Sequence, residues 1–406
     1  VKTQTAAEDS QNVGSAGASK ASPGSATPAG YSPELDTLRA IAIFSVLVSH
    51  YLPQGSIFNR LQSVVQQGPT VGVPLFFALS GFLITRILVQ SRGTVDTGKT
   101  TTGHALGIFY ARRFLRIFPI YYLTLFLGVL FKYPNVRRAL FWHLAYLSNV
   151  YYMHRGAFDK GPAPVFWTLS VEEQFYLVWP LLFLMLPARA LPAFTMVTAL
   201  AGAVYAGWAS PRSLVFNTLM PTHLTYLALG SYLGLRAVTP LGSPTALRQS
   251  MRYFLWAIPI CGLLYAAVHL CLSAGVARMQ LQNTARYAGS AFAFAWIVAR
   301  LARGVGGPIG VVLRWRPLTF IGRISYGVYI LQFFVTQMID RAVPAVSAHL
   351  GAVATGWLLQ SFIVRVIAIL AVATVSFFFF EQPINNLKHH FPYVRRSGKP
   401  QLTPVG

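Results

Sequence analysis

The sequence predicts an all-α protein: a polytopic membrane helix bundle of about ten transmembrane helices with both termini in the cytoplasm. Three observations predict it. The composition is 54% hydrophobic and only 11% charged, with mean hydropathy +0.51, far more apolar than a soluble domain. Apolar runs long enough to span lie at 36–53, 71–90, 108–131, 168–186, 190–208, 222–238, 253–273, 285–303, 320–340 and 357–380. Basic residues cluster between those runs, at 86–116, 236–252, 300–323 and 388–399, where they orient the chain and meet anionic headgroups. A net charge of +23 spread in this way is not one basic face, so membrane lipids are expected partners and nucleic acid is not.

Residues 1–30 are rich in Ser, Ala and Gly and read as a disordered tail. They contain no apolar core for a cleaved signal, so the first spanning helix is expected to act as the insertion signal. The chain does not begin with Met, which leaves its natural start open. Residues 31–386 form the transmembrane domain, and 387–406 a basic cytoplasmic tail too short for a further domain.

The first helix opens with SPELDTLR, where Ser32 suits the cap, Pro33 the first turn, and Glu34 and Asp36 the helix dipole. Arg39 and His50, eleven positions apart, come to about three turns plus 20° and share one face roughly 16 Å apart. Ionisable groups inside a bilayer are rare and functional by default. The bland alternatives are an Asp36–Arg39 surface pair and a histidine that hydrogen-bonds a neighbouring helix. In VPLFFALSGFLITR, Ser80 and Gly81 predict close helix packing.

In YARRFLRIFP, Arg113 and Arg116 face one way, as a fork for phosphate oxygens or as ordinary stop-transfer charge. The segment 141–153 is too short to cross and reads as re-entrant or interfacial. Only if it fails to span do the basic loops at 91–113 and 300–318 and the KHHFPYVRR tail all fall in the cytoplasm. Lys132, Arg137 and Arg138 then lie outside.

FWTLSVEEQFYLVWP places Glu172 and Glu173 in an apolar setting, with Ser170 and Glu173 spaced as a capping box. Adjacent residues point about 100° apart, so one carboxylate at most faces a given target; if that target is His50, it orients the ring. Cys261 and Cys271 are about 15 Å apart along one helix, too far to bridge. In RISYGVYILQ, Ser325, Tyr326, Tyr329 and Gln332 read as interhelical glue, and in FFFFEQPINN Glu381 is expected to pair with an inner arginine. There is no Walker loop, GxSxG elbow or metal-ligand spacing, so no metal is expected. On composition alone a proton-coupled transporter, with His50 and Glu172 or Glu173 as the relay, ranks ahead of an enzyme. A scaffold or flippase-like member of a glycan assembly complex is a third reading.

The blocks ELDTLRAIAIFSVLVSH, GVPLFFALSGFLIT, RRFLRIFPIYYL, FWTLSVEEQFYLVWP, SYGVYILQ and FEQP resemble, in order and type, the membrane-bound acyltransferase-3 family. The resemblance implies a multi-pass enzyme of the bacterial inner membrane. It would move an acyl group, usually acetyl, from cytoplasmic acetyl-CoA or another acyl-CoA to a hydroxyl of an extracytoplasmic glycan, glycolipid or secondary metabolite; polysaccharide and lipopolysaccharide acceptors fit. It implies His50 as catalytic base and Arg39, Arg113 and Arg116 as the donor site. Glu172 and Glu173 would assist the base, with Ser80, Gly81, Ser170, Tyr326 and Glu381 in support. Some members carry a fused esterase-like domain; for this chain the expectation is direct transfer or a separate partner protein.

Overall fold

The computed structural model describes residues 32–52, 71–158, 163–210, 218–238, 241–350 and 361–392. The amino-terminal segment 1–30 and the end of the basic tail lie outside them. The described residues are helical, with no strand among them. Among the described residues ten helices have 15 residues or more, and the described part of each apolar run falls on one: α1 (Pro33–Tyr51), α2 (Gly72–Asp96), α3 (Thr102–Leu130), α7 (Phe166–Met185), α8 (Leu191–Ala209), α9 (Met220–Arg236), α10 (Pro244–Cys271), α11 (Val276–Ala302), α13 (Arg316–Leu350) and α14 (Phe362–Ser376). Between them lie α4 (Pro134–Arg138), α5 (Leu140–Leu144), α6 (Ser148–Arg155) and α12 (Gly307–Leu313).

Among the described residues six helices are long and apolar enough to cross a membrane, or seven if α11 and α12, bent by 93°, make one span. Two of the helices below that threshold are informative. α1 carries Glu34, Asp36 and Arg39, and α7 carries Glu172, Glu173 and Gln174 in succession. The polar residues singled out from the sequence are what lower the apolarity of the helices that bear them. α10, by contrast, buries only 6% of its apolar window and turns Leu255, Trp256, Leu263 and Leu264 outward, as a lipid-facing helix does.

The segment 134–155 folds as α4, α5 and α6, the longest having eight residues, about 12 Å of helix. None can cross a bilayer. α3 stops before them because Lys132 turns left-handed (φ 55°), so that Lys132 N donates to Val129 O and Tyr133 N to Gly128 O, and Pro134 follows.

α1 begins as its sequence reads, with Ser32 at the cap and Pro33 in the first turn. The Ser32 hydroxyl, however, donates to Glu34 rather than capping the backbone, at 2.9 Å. α1 packs on α13, and α2 on α9. α2 and α9 approach closely because glycines leave room: a Cβ on Gly81 would collide with the Leu227 carbonyl, and one on Gly230 with that of Ala78. Gly81 is thus a packing residue, as its sequence context predicts. Arg92 donates to the Phe183 and Leu186 carbonyls at 2.9 and 2.6 Å, closing the carboxyl end of α7.

Apolar packing forms two large clusters. One is built mainly by α2, α7, α9 and α11, the other by α1, α3, α13 and α14. Val73, Phe76, Phe118 and Tyr326 pack against both, so they mark the seam. The polar residues discussed next lie along it.

Candidate active site

α13 serves as a ruler. At one end Asp36 of α1 ion-pairs with Arg323 at 3.7 Å and its backbone presses on Gly322. Further along, Tyr326 donates to the Ile117 carbonyl (3.1 Å), Tyr329 meets Thr168 (2.6 Å) and Gln332 meets His50 (3.1 Å). From Gly322 to Gln332 the helix rises about 15 Å.

At the far end the histidine's chemistry is set by an amide. Gln332 Nε2 donates to the Tyr329 carbonyl at 3.0 Å, which turns its Oε1 toward His50 Nδ1. An acceptor at Nδ1 requires the proton there, so the neutral ring presents Nε2 as a free base. The ring rests against Phe333, with centroids 5.1 Å apart. His50 is exposed.

At the near end three guanidiniums gather. Arg39 pairs with Asp36 at 2.6 Å, the bland outcome for that residue, yet it remains within electrostatic range of Arg116. Arg113 lies over the Tyr176 ring, 3.9 Å from its centroid. Neither Arg113 nor Arg116 has a hydrogen-bond or ion-pair partner among the described residues, and Arg113 Nε is buried without one. Arg116 is exposed. Burying the Arg113 Nε–H without an acceptor costs free energy unless a ligand supplies one. Beside Arg113 a cavity of about 370 Å³ opens between α3 and α7, lined by Tyr110, Phe114, Phe118, Glu173, Tyr176 and Leu177 among others.

The glutamates correct the sequence reading. Neither meets His50, whose described polar partner is Gln332. Glu172 accepts from Ser80 at 2.9 Å, Tyr176 donates to Ser80 at 2.9 Å, and Arg113 and Arg116 lie within electrostatic range. A carboxylate in an apolar bundle settles beside cations, and the cations are at the other end of the ruler. Glu173 makes no hydrogen bond or ion pair among the described residues and lines the cavity by Arg113.

The capping box is also corrected. α7 begins four residues before Ser170, so Ser170 lies inside the helix, donating to the Phe166 carbonyl at 3.1 Å and pairing with Ser148 at 2.7 Å. Tyr326 is interhelical glue, as expected. Glu381 makes no ion pair among the described residues; it accepts from Ser376 at 3.2 Å with Arg116 in electrostatic range. A π-helical turn over Phe377–Glu381 brings it against Gly327, where a Cβ would come within 2.6 Å of its Oε1. Gly327 and the orienting role of Gln332 escape sequence reading. The signal for Gln332 is only a polar residue on the apolar face of RISYGVYILQ. Among the described residues no group of three or more His, Cys, Asp or Glu could hold a metal.

A family model described as an acyltransferase domain, acyltransferase 3, matches residues 32–381. The chain belongs to the acyltransferase-3 family. Its relatives include "Putative peptidoglycan O-acetyltransferase YrhL" of Bacillus subtilis (strain 168), 28% identical over 383 residues, which is 87% of this chain and 55% of that protein. Peptidoglycan O-acetyltransferase OatA of Listeria monocytogenes serovar 1/2a is 26% identical over 379 residues, 87% of this chain and 56% of that protein. The acyltransferase-3 chain therefore spans about half the length of these curated relatives. No solved structure matches it.

Proposed function

We propose that this acyltransferase-3 protein is an O-acetyltransferase of the bacterial inner membrane. It takes an acetyl group from a cytoplasmic acyl-CoA and passes it to a hydroxyl of an extracytoplasmic envelope glycan, with His50 as general base. The observation that carries the reading is a pair of guanidiniums, Arg113 and Arg116, without hydrogen-bond or ion-pair partners among the described residues, with Arg116 in electrostatic range of Arg39, which lies eleven residues, about 16 Å, before a histidine whose Nδ1 is held by an amide. The names of the two relatives make peptidoglycan the first acceptor to test.

Donor phosphates occupy Arg113 and Arg116, with Arg39 and Asp36 behind them. Glu172 and Glu173 balance those cations when the donor is absent. The thioester is carried toward His50 by the donor's flexible arm. His50 Nε2 accepts the proton of the acceptor hydroxyl as its oxygen attacks the thioester carbonyl carbon. The carbon–sulfur bond breaks, the thiolate takes the proton from the imidazolium, and an ester and free CoA thiol result. Orientation follows from charge: Arg112 bonds the Lys388 and Phe391 carbonyls, and Arg314 pairs with Glu34, at the arginine end. The positive-inside rule makes that end cytoplasmic.

Purified protein in lipid, given acetyl-CoA and peptidoglycan fragments, tests the reading. Free thiol is expected only when donor and acceptor are both present, and not with His50→Ala. Label crossing the bilayer without thioester cleavage would identify a carrier instead.

A further inference from the structure

Tyr146 joins α5 to α6 with φ 53°, a left-handed conformation that a bulky residue holds only when its surroundings enforce it. The enforcement is visible. Tyr121 donates to the His143 carbonyl at 2.8 Å, Tyr122 to that of Leu144 at 3.0 Å, and Gln174 Nε2 to that of Tyr146 at 3.0 Å. Asn149 and Gln174 add a reciprocal amide pair at 3.1 and 2.9 Å. The Tyr146 ring stacks on Tyr121, with centroids 4.3 Å apart, and touches Phe118 at the seam.

Despite this fixing, the Tyr146 hydroxyl is buried and has no hydrogen-bond partner among the described residues. The ionisable groups in its electrostatic reach are Tyr326, Tyr121, Glu173 and Tyr122. Glu173 also lacks a partner among the described residues. A buried hydroxyl left unpaired is rare in folded proteins and calls for a missing partner. Glu173 lines the cavity by Arg113 together with Phe118, the ring that Tyr146 touches.

That region lies part-way along the ruler. Tyr326 is six residues, about 9 Å, short of the His50 level and about 6 Å beyond that of Asp36. Tyr121, on which the Tyr146 ring stacks, is five residues, about 7.5 Å, beyond Arg116 on α3, so a ligand anchored on Arg116 and extended along α3 meets this region.

We propose that Tyr146 and Glu173 form a subsite for the amide-bearing arm that joins the donor's nucleotide to its thioester. Tyr146 donates to an amide carbonyl, and Glu173 accepts from an amide N–H. This rests on the acyl-CoA reading above. Amides drawn into an apolar bundle without such partners would oppose entry of the donor.

The test compares two ligands on the full chain in lipid: CoA, and 3′-phospho-ADP, which has the phosphates but no arm. Tyr146→Phe keeps the ring stack and loses one hydrogen bond, so CoA is expected to bind about three- to tenfold more weakly and 3′-phospho-ADP as before. Arg113→Ala is expected to weaken both. Unchanged CoA affinity in Tyr146→Phe, or equal weakening of both ligands, would overturn the subsite. If wild-type protein binds neither ligand, the acyl-CoA reading falls and the subsite with it. Should Tyr146→Phe fail to fold, Glu173→Ala, which removes the acceptor, must lower the ratio of CoA affinity to 3′-phospho-ADP affinity, or the proposal fails.

Discussion

At His50, one amide decides which nitrogen can act. Gln332→Ala frees the ring and is expected to lower kcat about tenfold, whereas His50→Ala removes the base and is expected to cost roughly 10²- to 10⁴-fold. In the proposed mechanism His50 works only when neutral, so activity is expected above its pKa and is expected to be lost as pH falls through it. Gln332→Glu places a carboxylate where the amide was and favours the imidazolium. The acid limb of the pH–rate profile should therefore move to higher pH, and an unmoved limb would separate Gln332 from the base. His143 cannot supply that limb: burial pushes its imidazole down to about 4, leaving it neutral across the range in which activity would be measured. At the other end, Arg113→Ala and Arg116→Ala should each raise the donor KM about ten- to a hundredfold, with smaller changes in kcat.

Between elements, the α2–α9 contact leaves no room for a side chain at its glycines. Backbone carbonyls occupy the space a side chain at Gly81 would need, so Gly81→Ala must push the helices apart and is expected to destabilise by about 1–3 kcal/mol. Gly262 of α10 has nothing within 4 Å of a built Cβ. Gly262→Ala should be neutral or stabilising by up to about 1 kcal/mol, because it relieves the helix of a poor former. Thermal unfolding of both variants in one detergent checks the contrast. Ser80, the neighbour of Gly81 on α2, donates to Glu172 of α7, so a packing change at Gly81 is also expected to disturb Glu172.

Across the whole molecule, the two ends of the ruler face opposite sides of the membrane in the proposed orientation. In vesicles holding the protein in a single orientation, acetyl-CoA should support transfer only from the side bearing Arg113 and Arg116. Equal turnover from both sides would be incompatible with the two-ended site. Tyr326, packed against both apolar clusters, sits at the seam between them.

Sequence alone settled the helical class and the order of the elements, because a chain in lipid must satisfy its backbone within each segment and apolar run length then reports helices directly. It also singled out His50, Arg113 and Arg116, since charged groups are conspicuous among apolar neighbours. It did not show that Gln332, 282 positions away, would meet His50. Nor did it show that Glu172 would turn to Ser80 and the arginines, or that Ser170 would lie inside its helix rather than cap it. Those outcomes depend on which faces of distant helices pack together, and local spacing carries no information about that. Only the assembled bundle decides which polar side chain finds a partner and which, like Tyr146 and Arg113, is left waiting for one.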